Sequence, residues 1–250
     1  MNFTGDFIQG GLVYGQAAPG SDIKINTNEV RVTPQGEFIL GFGRDYPETT
    51  VITITQADGS SAKRTLKIAQ RDYKIQRIDG LPNEQVHPSE KTLVRINKER
   101  ESITKARSLN DDRVDFKDGF IWPAQGPITG VYGSQRILNG EPRQPHFGID
   151  VAAPVGTAVV APASGLVTYA EDMYFSGYTL VIDHGHNLSS SFLHLNKILV
   201  QVGNYVQQGE EIAHVGASGR VTGPHLDWRM NWQDQRIDPG LLMDDQSNTR

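Results

Sequence analysis

The sequence predicts a mainly β protein: a small N-terminal β-sandwich, a helical linker, and a larger C-terminal antiparallel β-sheet domain. Three observations predict it. Short Val-, Ile- and Thr-rich runs recur between Gly, Pro, Asn and Asp turn signals, first over residues 5–80 and again from Phe120 onward. Glycine is abundant, at 26 of 250 residues with 13 prolines, which suits turn-rich β structure rather than helices. Only one segment, near residues 89–109, carries a helical rhythm.

Residues 5–80 are read as the first domain. "FIQGGLVYGQAAPG" leads into "DIKINTNEVRVTPQGEFILGFGRD", and "TVITITQADGSSAKRTLKIA" carries two alternating runs about Asp58-Gly59, a hairpin signal. Strands at this spacing suggest a small Ig-like sandwich. Phe38, Phe42 and Tyr46 are its apolar concentration and are read as core. No cluster of titratable groups appears, so this part is expected to position rather than to catalyse. Residues 81–119 change character and become charged. Ser89 ahead of good helix formers reads as the N-cap of a helix over about 89–109, with Leu93, Ile96, Ile103 and Ala106 on one face. His87, before a proline in this linker, is read as solvated. Residues 120–250 return to β: "PVGTAVVAPASGLVTYAED", "GYTLVIDHG", "LSSSFLHLNKILV", "VGNYVQQGEEIAHVGASG" and "HLDWRMNW" are short apolar runs between turns.

Composition removes several functions. The chain has 37% hydrophobic and 21% charged residues, as a folded globular protein does, and a formal charge of −5 that offers no general nucleic-acid or lipid-binding surface. It has no cysteine, so disulfides and thiolate metal sites are excluded and any zinc must take His and carboxylate. No apolar run reaches membrane-spanning length. The start, "MNFTGDFIQGG", lacks the basic and apolar regions of a signal peptide and begins as a mature chain with an added Met would.

Six of the seven histidines fall in the C-terminal domain. In "HFGID", His146 on an incoming loop and Asp150 opening a strand can reach one ion. In "HLDW", His225 and Asp227 stand two apart, so strand alternation puts both on one face. Each pattern alone is weak. Together, N and O ligands from separated strands with an open fourth position describe a catalytic rather than a structural zinc site. His194, in "SFLHLN", lies in an apolar strand with Phe192 and Asn196 on its side, and its plainer reading is a buried imidazole satisfied by a neighbouring carbonyl. His184 and His186 in "DHGHN" are read either as turn residues or as residues that support the site from behind, and His214 as structural.

These residues carry a resemblance. "HFGIDVAAPVGTAVVAPASGLV", "LVIDHGHNLSSSFLHL" and "VGNYVQQGEEIAHVGASGRVTGPHLDW" resemble the LytM/lysostaphin-type zinc metallopeptidases, in order and spacing, from about Trp122 to Trp232. The resemblance implies an antiparallel β-sheet domain with a groove, one zinc ion, and cleavage of peptide crosslinks in bacterial peptidoglycan. The β-rich N-terminal region and linker are similar to a Gram-negative periplasmic branch, so the expected location is periplasmic or secreted, with any signal peptide already removed. His146 and Asp150 match the first two zinc ligands. His194 and His225 match the two catalytic histidines. The third ligand is a histidine in the family's His-x-His, and here that position holds Asp227.

Aspartate oxygen binds zinc at roughly 2.0–2.2 Å, close to imidazole nitrogen. The charge matters more. One His and two Asp make the metal site formally neutral, where two His and one Asp leave it at +1. A neutral site lowers the acidity of a bound water and favours a harder ion such as Mn²⁺ relative to the family's usual site. The expected chemistry is metal-assisted hydrolysis, with His194 and His225 moving the proton between water and leaving amine and giving a bell-shaped pH profile. "GVYGSQRILNGEPRQP" before His146 is read as a loop at the groove rim, from which Arg136 and Arg143 could meet carboxylates of a stem peptide. The rival reading is a catalytically weak or inactive wall-binding protein that activates another peptidoglycan hydrolase, since Asp227 departs from the family's ligand set. A lipoyl- or biotinyl-type carrier, suggested by "VGNYVQQGEEIAHV", is rejected because no lysine stands at the hairpin tip.

Overall fold

A computed structural model describes residues 1–80 and 89–243 of the chain. His87 lies outside the described residues. Seven short strands build two sheets in the N-terminal region. One comprises β1 (Asn2–Thr4), β2 (Leu12–Gln16) and β5 (Glu37–Gly41). The other comprises β3 (Asp22–Ile25), β4 (Asn28–Val30), β6 (Thr49–Thr55) and β7 (Ser61–Lys67). The expected hairpin closes between Thr55 and Ser61, with Gly59 at φ +84°, a conformation that costs glycine least. Phe38 and Phe42 are buried and Tyr46 packs edge-on against Phe42, as expected of the apolar concentration read as core.

The helix, α1 (Glu90–Ala106), starts where Ser89 predicted: its hydroxyl accepts from the Thr92 amide at 3.3 Å. Its apolar stripe is only half used. Ile103 packs on Tyr169 and Val181 with Ala106 beside it, whereas Leu93 stays 44% exposed. The shared face therefore holds only for the last turns, where the helix meets the sheet. Polar ties carry the rest: Arg95 reaches Asp172 at 3.2 Å and Glu99 accepts from the Tyr174 amide at 3.0 Å.

The remaining strands are β8 (Ile75–Ile78), β9 (Ile128–Gly130), β10 (Gln135–Leu138), β11 (Glu141–Pro142), β12 (Ile149–Ala152), β13 (Ala158–Val160), β14 (Gly165–Met173), β15 (Gly177–Asp183), β16 (Leu188–Ile198), β17 (Tyr205–Val206), β18 (Glu211–Val215), β19 (His225–Trp232) and β20 (Gln235–Ile237). All but β8, β10 and β11 form one antiparallel sheet whose path runs β17-β14-β15-β16-β19-β12-β9. The mainly β architecture with, among the described residues, a single linking helix is thus what the sequence predicted. One apolar core runs from Val13, Phe38 and Ile52 in the N-terminal sheets to Phe192, Trp228 and Ile237 in the large sheet. Where the two regions meet, the Arg71 guanidinium pairs with Asp238 at 2.8 Å.

The rim segment is not a loop. β10 and β11 form a hairpin across Asn139-Gly140, with φ of +49° and +82°, and β10 adds in parallel to β8 of the N-terminal region. Positive φ at both central residues is the twist-matched turn for which Asn-Gly is best suited. The pairing with β8 is non-local and carries no signal in either segment.

Candidate metal centre and active site

The site lies where β12 and β19 run side by side. Their register sets Asp150 opposite Asp227 and Ala152 opposite His225, so both carboxylates and His225 share one sheet face. His146, just ahead of β12, completes the group; its main chain is fixed by bonds from its amide to the Ser134 carbonyl at 2.8 Å and from the Gly133 amide to its own carbonyl at 2.7 Å. His146 Nε2 lies 3.0 Å from Asp150 Oδ1 and 3.4 Å from Asp227 Oδ2. Both His146 nitrogens and Asp150 Oδ1 are buried without a hydrogen-bond partner among the described residues. Buried polar atoms left so close yet unaligned for hydrogen bonding are costly as they stand. Three ligands at roughly 2.0–2.1 Å from one tetrahedral ion would be spaced about 3.3 Å from each other, which these distances match. The donor set of one imidazole and two carboxylates fits a divalent cation.

Strand alternation alone misplaces His194. Across β16 and β19, Phe192 faces Trp228 in the core and Leu193 faces Asp227, so strict alternation would send His194 into the core beside Phe192. It does not go there. His194 takes φ +64°, in the left-handed region, and its ring centroid lies 4.9 Å from that of His225. The local reversal turns the imidazole onto the opposite face from Phe192, a strained conformation of the kind found at functional sites. The expected carbonyl partner exists as well: His194 Nδ1 and the Ser218 carbonyl are 2.9 Å apart, and His225 Nδ1 and the Gly223 carbonyl are also 2.9 Å apart. A carbonyl can only accept, so both rings carry the proton on Nδ1 and keep the Nε2 lone pair. His225 Nε2 is 3.8 Å from Asp150 Oδ1.

Burial pushes the His194 imidazole down to about 4, so it is neutral at pH 7. Burial also pushes His146 down, but the carboxylates of Asp227 and Asp150 more than reverse this, and it ends above the ordinary histidine value. Desolvation would raise the Asp227 carboxyl; the Arg229 guanidinium and His146 hold it well below the usual range.

Two features escaped the sequence reading. Arg229 forks onto Asp227, with Nε 2.9 Å from Oδ1 and Nη2 2.5 Å from Oδ2. The alternation that joined His225 to Asp227 extends to Arg229, two residues on, so the signal was present. Gly130 and Gly148 make room for the carboxylates: a Cβ on Gly148 would lie 2.5 Å from Asp227 Oδ1 and 2.6 Å from Arg229 Cγ, and one on Gly130 would collide with Asp150 Oδ2. A glycine kept free for a neighbour's side chain looks, in sequence, like any other.

The other predicted residues divide. Arg136, on β10, reaches inward, with Nη2 3.6 Å from Asp150 Oδ2, whereas Arg143 pairs with Glu141 at 2.5 Å on the hairpin. His184 is wholly buried, its nitrogens 2.7 Å from the Ser164 carbonyl and 2.6 Å from Ser190 Oγ. His186 packs edge-on against Phe116. His214 sits at the surface beside Glu211, 2.8 Å away.

Residues 144–239 match the model of Peptidase family M23, which spans the whole cluster. The chain carries an M23 peptidase domain. Over 120 residues it is 39% identical to the peptidoglycan DD-endopeptidase ShyB of Vibrio cholerae, covering 48% of this chain and 26% of that protein. Over 119 residues it is 36% identical to the murein hydrolase activator EnvC of Escherichia coli, covering 48% and 27%. The chain thus matches about a quarter of the length of these relatives. A crystal structure from Pseudomonas aeruginosa assigned to peptidase M23 superposes over 95% of both chains with a TM-score of 0.74 at 26% identity. That likeness runs through the N-terminal sheets and the helix as well as the M23 domain.

Proposed function

We propose that the protein is a metal-dependent endopeptidase that hydrolyses peptide crosslinks of bacterial peptidoglycan, in the periplasm or outside the cell. The observation that carries this reading is the convergence of His146, Asp150 and Asp227, with orphaned buried donor atoms, beside two histidines whose Nε2 lone pairs are free. His146, Asp150 and Asp227 would hold the ion, zinc in the first place and Mn²⁺ as the harder alternative. When bound, the metal supplies Lewis-acid polarisation of the scissile carbonyl and acidifies a water.

The rest is the work of this chain's residues. The carbonyls of Ser218 and Gly223 fix the tautomers of His194 and His225, so either Nε2 can accept the proton of the attacking water. A neutral His194 at pH 7 is suited to act as base, and its protonated form then donates to the leaving amine. Once protonated, an imidazolium also faces the developing oxyanion. Arg136, next to Asp150, and Arg143, paired with Glu141 on the same hairpin, would meet carboxylates of the stem peptide.

The match to EnvC supports a second reading, that of an activator of another wall hydrolase. Retention of His146, Asp150, His194 and His225, with a carboxylate able to ligate at Asp227, favours the enzyme. The test is digestion of purified peptidoglycan by the purified protein, with and without chelator, followed by release of new amino groups. Cleavage lost on chelation and restored by zinc or Mn²⁺ is expected. Cleavage indifferent to chelator overturns the metal reading; no cleavage with either ion, together with stimulation of a separate amidase, establishes the activator.

A further inference from the structure

We propose that Arg229 and Asp227 act as one unit, in which the guanidinium orients the ligand carboxylate and cancels the charge that an aspartate brings to a position where the family's pattern has a neutral histidine. This rests on the metal reading above. Taken alone, one imidazole, two carboxylates and a divalent ion sum to zero. The fork of Arg229 changes that sum at the ligand itself.

The geometry is specific. Asp227 is 1% exposed, and the fork engages both of its oxygens. A carboxylate oxygen has two acceptor directions, so each oxygen keeps one. For Oδ2 this matters, because it stands 3.4 Å from His146 Nε2, on the metal-facing side. Rotation of the carboxylate would break two charge-assisted bonds, so its position is fixed before any ion arrives. The other guanidiniums near Arg229 do not do this work: Arg236 donates to Asn231 Oδ1 at 2.7 Å and Arg107 to Ser191 Oγ at 3.1 Å, both neutral acceptors. Arg136 faces the other carboxylate, Asp150. Gly148 leaves the space in which Asp227 and the Arg229 stem lie side by side. Asp227 with Arg229 is thus a neutral, pre-oriented oxygen ligand, electrostatically equivalent to an imidazole.

The consequence runs against intuition. Asp227→His, which restores the family's ligand, strands a buried guanidinium beside a neutral ring and adds a positive charge next to the ion. It should weaken zinc binding. Asp227→His combined with Arg229→Met removes that charge and should restore it. The experiment measures zinc affinity by chelator competition, and thermal stability of the metal-free protein, for wild type, D227H, R229M and D227H/R229M. D227H is expected to bind zinc at least about tenfold more weakly than wild type, with the double variant recovering to within about threefold, a coupling expected only of residues in one charge network. Without metal, both single variants should melt below the wild type and the double variant above the sum of their losses. A merely structural ion pair would move the melting temperatures and leave zinc affinity unchanged, which would overturn the proposal. D227H binding zinc as tightly as wild type would do the same. If D227H fails to fold while the double variant folds and binds zinc, the stranded charge is the cause and the proposal stands; if both fail to fold, it falls. A wild type that binds no zinc overturns the metal reading and this inference with it, and is told apart by that first measurement.

Discussion

Gly148 gives the sharpest test of how the site is built. A Cβ there would lie 2.6 Å from the Trp228 carbonyl oxygen, a backbone atom, as well as 2.5 Å from Asp227 Oδ1. Restoring an ordinary contact near 3.4 Å requires β12 and β19 to separate by about 0.8 Å, the difference between 3.4 and 2.6 Å. Those are the strands that bring Asp150 opposite Asp227. Overpacking of this kind costs about 1–3 kcal/mol, which for a chain of this size lowers the melting temperature by roughly 2–12 °C. The displacement acts directly on the ligand set, and a misplacement near 1 Å costs about 10²-fold in rate. Gly148→Ala should therefore fold, melt slightly early, and lose most of its peptidoglycan cleavage and zinc affinity. Gly223→Ala, whose Cβ would meet nothing within 4 Å, is the control for stability. Normal melting and full zinc affinity in Gly148→Ala would refute the claim that the carboxylate spacing depends on this close approach.

Other outcomes follow from the same geometry. His194→Ala and His225→Ala should each lower kcat/KM by about 10²–10⁴-fold with zinc affinity held within about threefold; loss of zinc in the His225 variant would make it a ligand instead. Arg136→Met should raise KM by about tenfold with little change in kcat if the guanidinium meets substrate carboxylates; an equal fall in kcat and kcat/KM would place it in the chemical step. His184, held at about 4 by burial against an ordinary value of 6.5, remains neutral in the folded protein while the unfolded chain takes up a proton. Its contribution is complete above pH 6.5 and lost as the pH falls towards 4, amounting to about 3 kcal/mol at roughly 1.4 kcal/mol per pH unit. Asp183 beside it, pushed up to about 6 by burial, works in the opposite sense. The check is therefore the difference in acid-side melting between wild type and His184→Asn, and equal slopes would count against it.

What could be read in the sequence was set by period. Alternation with turn residues gave the β class, the Asp58-Gly59 hairpin and the shared face of His225 and Asp227, because a strand's side chains reverse every residue whatever lies around them. The Ser89 cap was equally local. Three things could not be read. His194 reaches the site through a single left-handed residue that breaks the alternation, and histidine does not advertise that conformation as glycine does. The β10–β11 hairpin had its Asn-Gly signal in plain view, yet its partner β8 lies some sixty residues earlier, and no local pattern encodes that pairing. The half-used face of α1 shows the converse: a stripe of correct period stays exposed at Leu93 when the surface opposite it ends.

Net charge misled in an instructive way. A chain at −5 was read as offering no basic surface, and over the whole molecule that holds. At the site it reverses: Arg229 forks onto Asp227, Arg136 stands beside Asp150, and Arg236 and Arg107 lie near enough to Arg229 to feel its charge. Burial and the neighbouring Arg229 push Arg236 down to about 10, and burial with Arg236 and Arg229 pushes Arg107 well below its usual value. Guanidiniums held close together and away from water repel one another, and added negative charge relieves that repulsion. One part of it is relieved within the protein by Asp227, the proposed ligand that departs from the family's pattern.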